Sequence, residues 1–122
     1  MDANEIEFLK VVPMFPVRDV PAAVRFYAGT LGFAVGGQSG EEFASVFRGP
    51  IAEVNIYLRR ETEPFTPAEC FVLVEDPDAL HDAYAARGVR VIEPPHDTEW
   101  GYRQFTLADP DGHRLHLFRF LS

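Results

Sequence analysis

The sequence predicts an α+β fold built from two βαβββ modules in tandem, and three observations carry that prediction. The first is a hairpin near the end of the chain. Apolar residues alternate from Arg103 to Leu107, the chain reaches Asp109-Pro110-Asp111-Gly112, and a second alternating run leaves from Arg114 to Phe120. Pro110 presets φ for a turn and Asp111-Gly112 supplies a positive-φ corner, so the two runs pair antiparallel. The second is a pair of helix starts. Asp19 and Asp76 each precede a proline that fits a first helical turn, Pro21 and Pro77, and Gly32 and Gly88 end the two helical runs. The third is a repeat. Val17-Arg18-Asp19 returns as Val74-Glu75-Asp76, Ala22 as Ala79 and Tyr27 as Tyr84, all at one spacing. Neither half alone can cover its own sheet, so the halves pack together. The chain reads as one domain, 1–122, with module one at 6–60 and module two at 68–121.

Taken in order, Phe8 to Val17 reads as a first strand at an edge or open seam, because Pro13 and Pro16 cannot donate to a ladder. The first helix follows Asp19, with Ala22, Ala23, Phe26, Tyr27 and Thr30 at helical spacing. Phe33 to Val35 is a short strand and Gly36 to Gly40 a loop. Glu42 to Arg48 and Ile51 to Leu58 are strands joined at Gly49-Pro50. Arg59 to Pro67 is a polar connector. In the second half, Glu69 to Val74 is a strand, the helix runs to Arg87, and Val89 to Ile92 is a strand. Glu93 to Glu99 is a loop before the hairpin.

Lys and Arg number 11 against 19 Asp and Glu, a net charge of −8. Such a surface repels phosphate backbones, so nucleic acid is not an expected partner; a cationic ligand suits it. Cys70 is the only cysteine, which excludes an internal disulfide, and its apolar run reads as core. The acidic start Met1-Asp2-Ala3-Asn4-Glu5 lacks a secretory pattern and no apolar run reaches membrane-spanning length. The sequence therefore predicts a cytoplasmic protein with no membrane partner. No Gly-x-Ser-x-Gly, no Cys–His motif and no Gly-x-Gly-x-x-Gly before a helix occurs. His81 and His96 read as surface residues, and His113 as a backbone contact beside the turn.

The module Val-x-Asp-x-x-Ala-x-x-x-Phe-Tyr-x-x-x-Leu-Gly-Phe at Val17 to Phe33 resembles the vicinal oxygen chelate superfamily, which includes glyoxalases, dioxygenases and bleomycin-resistance proteins. The closing run from Trp100-Gly101 through Asp109-Pro110 and Gly112 to His116-Leu117-Phe118 resembles the bleomycin-resistance branch. The resemblance implies a curved mixed sheet around a cavity, the glyoxalase/bleomycin resistance fold, in a homodimer with shared sites. It also implies metal-ligand positions, counted from the capping and turn aspartates. The first falls on Val12, which cannot bind a metal. The second falls on Glu69 and the last on His116. The fourth lies on the strand from Ile51, at Asn55, Ile56 or Tyr57. Two plausible donors fall short of the three protein ligands a catalytic site normally uses, so neither metal nor other cofactor is expected.

Strand parity gives the cavity-facing residues: Val12, Met14 and Pro16; Glu69, Phe71 and Leu73; Arg114, His116, Phe118 and Phe120. With Tyr57 and Trp100 they form an apolar, aromatic surface with a few polar points. Aromatic faces stack flat heterocycles and attract cations. Trp100 reads either as a stacking platform at the mouth or as a plug between modules. The ligand-binding set is therefore Val12, Met14, Tyr57, Glu69, Phe71, Trp100, Arg114, His116 and Phe118, with no catalytic residue. The expected function is non-catalytic sequestration of a cationic aromatic molecule of the bleomycin-antibiotic type. The alternative is a metal-dependent lyase, isomerase or dioxygenase of the same superfamily.

Overall fold

Each half of the chain folds as a strand, a helix and three strands, and the computed structural model describes residues 1–122. The first half holds β1 (Met14–Val17), α1 (Val20–Val24), β2 (Ala34–Ser39), β3 (Phe43–Arg48) and β4 (Val54–Arg60). The second holds β5 (Glu69–Leu73), α2 (Pro77–Ala86), β6 (Arg90–Asp97), β7 (Tyr102–Ala108) and β8 (Arg114–Phe120). They form two four-stranded mixed sheets with the same order, β1-β4-β3-β2 and β5-β8-β7-β6. In each, the strand before the helix pairs parallel with the last strand of its half, and the other pairs are antiparallel.

The repeat seen in the sequence has a structural counterpart at each helix start. Asp19 accepts from the Ala22 N–H and Asp76 from the Ala79 N–H, both at 3.0 Å. Each cap contributes about 1 kcal/mol to its helix. Gly32 and Gly88 follow the helices at φ +84° and +80°, where a β-carbon would be strained. One feature has no sequence signal: α1 widens into a π-helical turn over Arg25–Thr30, with Leu31 N–H donating to Phe26 O.

Four strand boundaries differ from the sequence reading. β1 starts at Met14, not Phe8, because its parallel ladder to β4 runs only from Met14↔Tyr57 to Val17↔Arg60. Tyr57 N–H reaches back to Pro13 O, and before Pro13 the chain has no ladder partner. β4 starts at Val54, not Ile51, because the turn with Gly49 at φ +101° and Ala52 at φ +55° takes up the intervening residues. β2 includes Gly36 and Gly37, and a bulge between Val35 and Gln38 absorbs them. β6 runs through Pro94 and Pro95 to Asp97, with its register shifted twice. Both β2 and β6 are edge strands with one partner, so missing side chains and missing N–H groups are tolerated there.

The core draws on both halves: Phe15, Val17, Tyr27, Leu31, Ile56 and Leu58 join Tyr84, Phe105, Leu107, Leu115 and Leu117. Six polar ties cross between them, two of them from arginines: Arg48 Nη1 donates to Tyr84 Oη at 3.0 Å and Arg87 Nη1 to Thr30 O at 2.8 Å. Tyr27 Oη donates to Asp109 Oδ2 at 2.7 Å, and Tyr84 Oη donates to Leu31 O at 2.6 Å. Arg18 N–H donates to Asp111 Oδ1 at 3.0 Å. His113 is fully buried; its Nε2–H donates to Pro16 O at 2.6 Å while Nδ1 accepts from the Ala68 N–H at 2.8 Å. Its ring stacks against Phe15 and Phe65. Both ring nitrogens thus bind backbone, as read from the sequence. His81 is not a free surface residue: its ring is half-buried, edge-on to Phe105. No helix is long and apolar enough to cross a membrane.

Candidate ligand-binding face

The hairpin β7–β8 and strand β5 set one face of the second sheet. In register, Glu69, Phe71 and Leu73 lie beside Arg114, His116 and Phe118. Those in turn lie beside Ala108, Thr106 and Gln104, and Phe120 lies beside Tyr102. The alternate residues Phe105, Leu107, Leu115 and Leu117 enter the core. The parity argument therefore separates the two faces as the sequence implied.

His116 is the polar centre of this face. Its Nε2 lies 2.6 Å from Glu69 Oε1 and its Nδ1 lies 2.7 Å from Thr106 Oγ1. A carboxylate can only accept, so Nε2 carries the proton and, in the neutral ring, the Thr106 hydroxyl donates to Nδ1. Phe71 stacks on the imidazole at 4.4 Å. From there the aromatic surface continues. Phe71 meets Phe118 edge-on at 6.0 Å, Tyr102 stacks on Phe118 at 4.2 Å, and Phe120 and Trp100 each meet Tyr102 edge-on. Phe71 is 51% exposed, Trp100 61% and Phe120 55%. Phe118 between them is buried and Tyr102 half-buried.

Glu69 is exposed, and only its bond to His116 engages it. Arg114 sits next to it in register but forms no ion pair and no side-chain hydrogen bond. The face therefore carries one acid and one base at its Glu69 end. Cys70, on the opposite side of β5, is half-buried and burial pushes its thiol up to about 11, so it stays protonated and unreactive at neutral pH.

The other residues expected to line a cavity lie on the first sheet. Met14 pairs with Tyr57 in the β1–β4 ladder, and Tyr57 lies edge-on to Phe43. Val12 precedes β1 and is half-buried. No hydrogen bond or ring contact joins this patch to the His116 face. The two larger clefts lie between β4 and β5, and one of them borders the His116 face at Phe71. One of about 480 Å³ is lined by Val11, Pro13, Asn55, Ile56 and Phe71, and another of about 460 Å³ by Phe33, Val54, Val72 and Leu80. Within a single chain, then, the nine predicted residues form two patches rather than one enclosed cavity.

A metal does not fit the donors present. Asn55 donates its amide to Ser45 Oγ and Val46 O, and nowhere do three His, Cys, Asp or Glu side chains converge. Glu69 and His116 are left as a pair bonded to each other, one donor short of a catalytic site. Sequence reasoning missed Tyr102, Gln104 and Thr106. The signal was present in the hairpin, since counting register across its turn places them opposite Phe120, Phe118 and His116.

Comparison with known proteins agrees with this architecture. Residues 11–117 match the family described as the Glyoxalase/Bleomycin resistance protein/Dioxygenase superfamily. The bleomycin-binding protein of bleomycin-producing Streptomyces verticillus, solved with copper(II)-bleomycin, is 31% identical, with a TM-score of 0.76 over 92% of this chain and 96% of that one. TioX from Micromonospora sp. ML1 is 23% identical, with a TM-score of 0.77 over 93% of this chain and 100% of that one. An integron cassette protein from the mobile metagenome of the Halifax Harbour sewage outfall is 24% identical, with a TM-score of 0.82 over 94% of this chain and 100% of that one. No curated protein sequence matches. The two-sheet βαβββ architecture and the match over most of the chain place the protein in the glyoxalase/bleomycin resistance protein/dioxygenase superfamily.

Proposed function

We propose that this protein binds and sequesters a flat, cationic aromatic molecule of the bleomycin type, without transforming it, as a homodimer. The observation that carries this reading is the aromatic face on which exposed Phe71, Phe120 and Trp100 surround buried Phe118 and half-buried Tyr102, with the Glu69–His116 pair at one end. Rings of that kind hold a planar guest by stacking and favour positive charge. The net charge of −8 raises the local concentration of cations. Sequestration needs only affinity, so no group has to stabilise a transition state. The bleomycin-binding neighbour supports the ligand class, and the lack of a third donor beside Glu69 and His116 supports binding over metal catalysis.

A second copy of the chain fits two features. The segment before β1 leaves Phe8, Leu9 and Val11 almost fully exposed, and the aromatic face lacks an opposing wall. In the proposed dimer the Met14–Tyr57 patch of one chain closes over the His116 face of the other.

The test is a titration with bleomycin followed by the fluorescence of Trp100, the only tryptophan. Quenching that saturates, together with raised drug tolerance in cells expressing the protein, supports the proposal. No change in either at saturating drug overturns it. Metal analysis of the purified protein addresses the rival reading: one tightly held divalent ion per site, lost in His116→Ala, would favour an enzyme.

A further inference from the structure

We propose that Gln104 is the specificity residue of this face, and that its Oε1 accepts an N–H from the guest. The inference rests on the reading of this face as a binding wall and adds to it the chemistry that the guest's edge must present.

Gln104 is 4% exposed, yet its Oε1 has no hydrogen-bond partner, and it is the only such buried side-chain atom in the molecule. Folded proteins rarely tolerate this, because a buried acceptor without a donor forfeits its hydration and gains nothing back. Gln104 sits in the middle of the aromatic surface, with Phe118 beside it on β8 and His96 on β6. Two nearby donors bond elsewhere. The Thr106 hydroxyl serves His116, and His96 Nδ1 is 2.9 Å from Pro94 O. Solvent does not reach the atom either. What remains is a guest. A flat ring held on this wall brings its edge to Gln104 with a small shift of Tyr102, and an N–H on that edge completes the unmet bond.

The guest class follows. It is a planar aromatic carrying a primary amide, an amidine or a ring N–H, and the face discriminates against the same molecule with that nitrogen fully methylated. The acceptor is unpaired before either molecule binds, so the preference equals the bond that the N–H compound gains and the methylated analogue cannot make.

The experiment uses 2-naphthamide and N,N-dimethyl-2-naphthamide, titrated into the full chain and read by Trp100 fluorescence. The wild type is expected to prefer the N–H compound by about tenfold, the effect of one buried hydrogen bond. In Gln104→Leu and in the more isosteric Gln104→Met, the preference should fall to about onefold. Both variants should also melt higher than the wild type when free, because the orphaned acceptor is gone. Absence of a preference in the wild type overturns the proposal, as does the same preference in Gln104→Met, or a lower melting temperature in both variants. If bleomycin fails to bind while the naphthamide preference holds, the antibiotic reading falls and this one stands.

Discussion

Tyr27 and Asp109 meet in the interior, the phenol donating to the carboxylate at 2.7 Å, and join the first helix to the turn ahead of β8. Asp109 also accepts from the backbone N–H groups of Asp111 and His113, both at 2.9 Å. Burial still pushes its carboxyl above the ordinary range, with the Tyr27 bond as the largest opposing influence. Tyr27→Phe should therefore destabilise the protein by about 1–3 kcal/mol, since it strips a donor from a buried anion. The pH dependence has a definite sign. A carboxyl whose folded pKa is raised binds its proton more tightly in the fold, so it contributes most below the unfolded value and that contribution is lost as pH rises through the folded value. Relative to Asp109→Asn, the wild type should gain stability as pH falls from about 7 toward 4. Urea melts across that range check it, and a difference independent of pH would refute the assignment.

Trp100 separates two roles that the sequence left open. At 61% exposed it fills no gap between the halves and touches only Tyr102 among the aromatic rings. Trp100→Ala should shift stability by no more than about 0.5 kcal/mol, as for most surface changes. Its affinity for bleomycin, measured by calorimetry, should drop by about tenfold or more, as when a stacking anchor is removed from a binding face. A large loss of stability would instead make Trp100 structural.

His113 is a structural residue and should behave as one. It fills a fully buried site between Phe15 and Phe65 and bonds Pro16 O and the Ala68 N–H. His113→Ala empties that site and leaves both backbone groups unpaired, at a cost of about 3–5 kcal/mol. Chemical denaturation is the measurement, and a cost below about 1 kcal/mol would mean that the two backbone groups find water instead.

Assembly can be tested through the segment before β1. Sedimentation should give a dimer for the wild type. Phe8→Ser with Leu9→Ser should shift it toward monomer, because both side chains are almost fully exposed in the single chain. An unchanged monomer–dimer balance would place the interface elsewhere.

The parts of the fold that were legible in the sequence are those set by local chemistry. Asp19 and Asp76 cap their helices through their own side chains, and the Asp109–Gly112 turn closes its hairpin with Gly112 N–H on Asp109 O. The misread parts depend on partners far along the chain. Gly36-Gly37 and Pro94-Pro95 look like breaks, yet each lies in an edge strand where one neighbour suffices. Phe8 to Val12 has strand composition but no ladder to join. The aromatic face was half visible. β8 alone yielded His116 and Phe118, while Gln104 and Thr106 emerge only when the hairpin register is carried across to β7.

The two repeated tyrosines end differently. Tyr27 finds Asp109 in the turn between β7 and β8, whereas Tyr84 turns to the Leu31 carbonyl and takes a bond from Arg48. The corresponding turn between β3 and β4 is built on Gly49, Pro50 and Ala52 and offers no buried carboxylate. The halves thus share a fold but not a chemistry, and fit each other as lock and key. A chain assembled from two first halves would strand a phenol in the interior with nothing to hold, so the order of the halves is written into the chemistry of their seam.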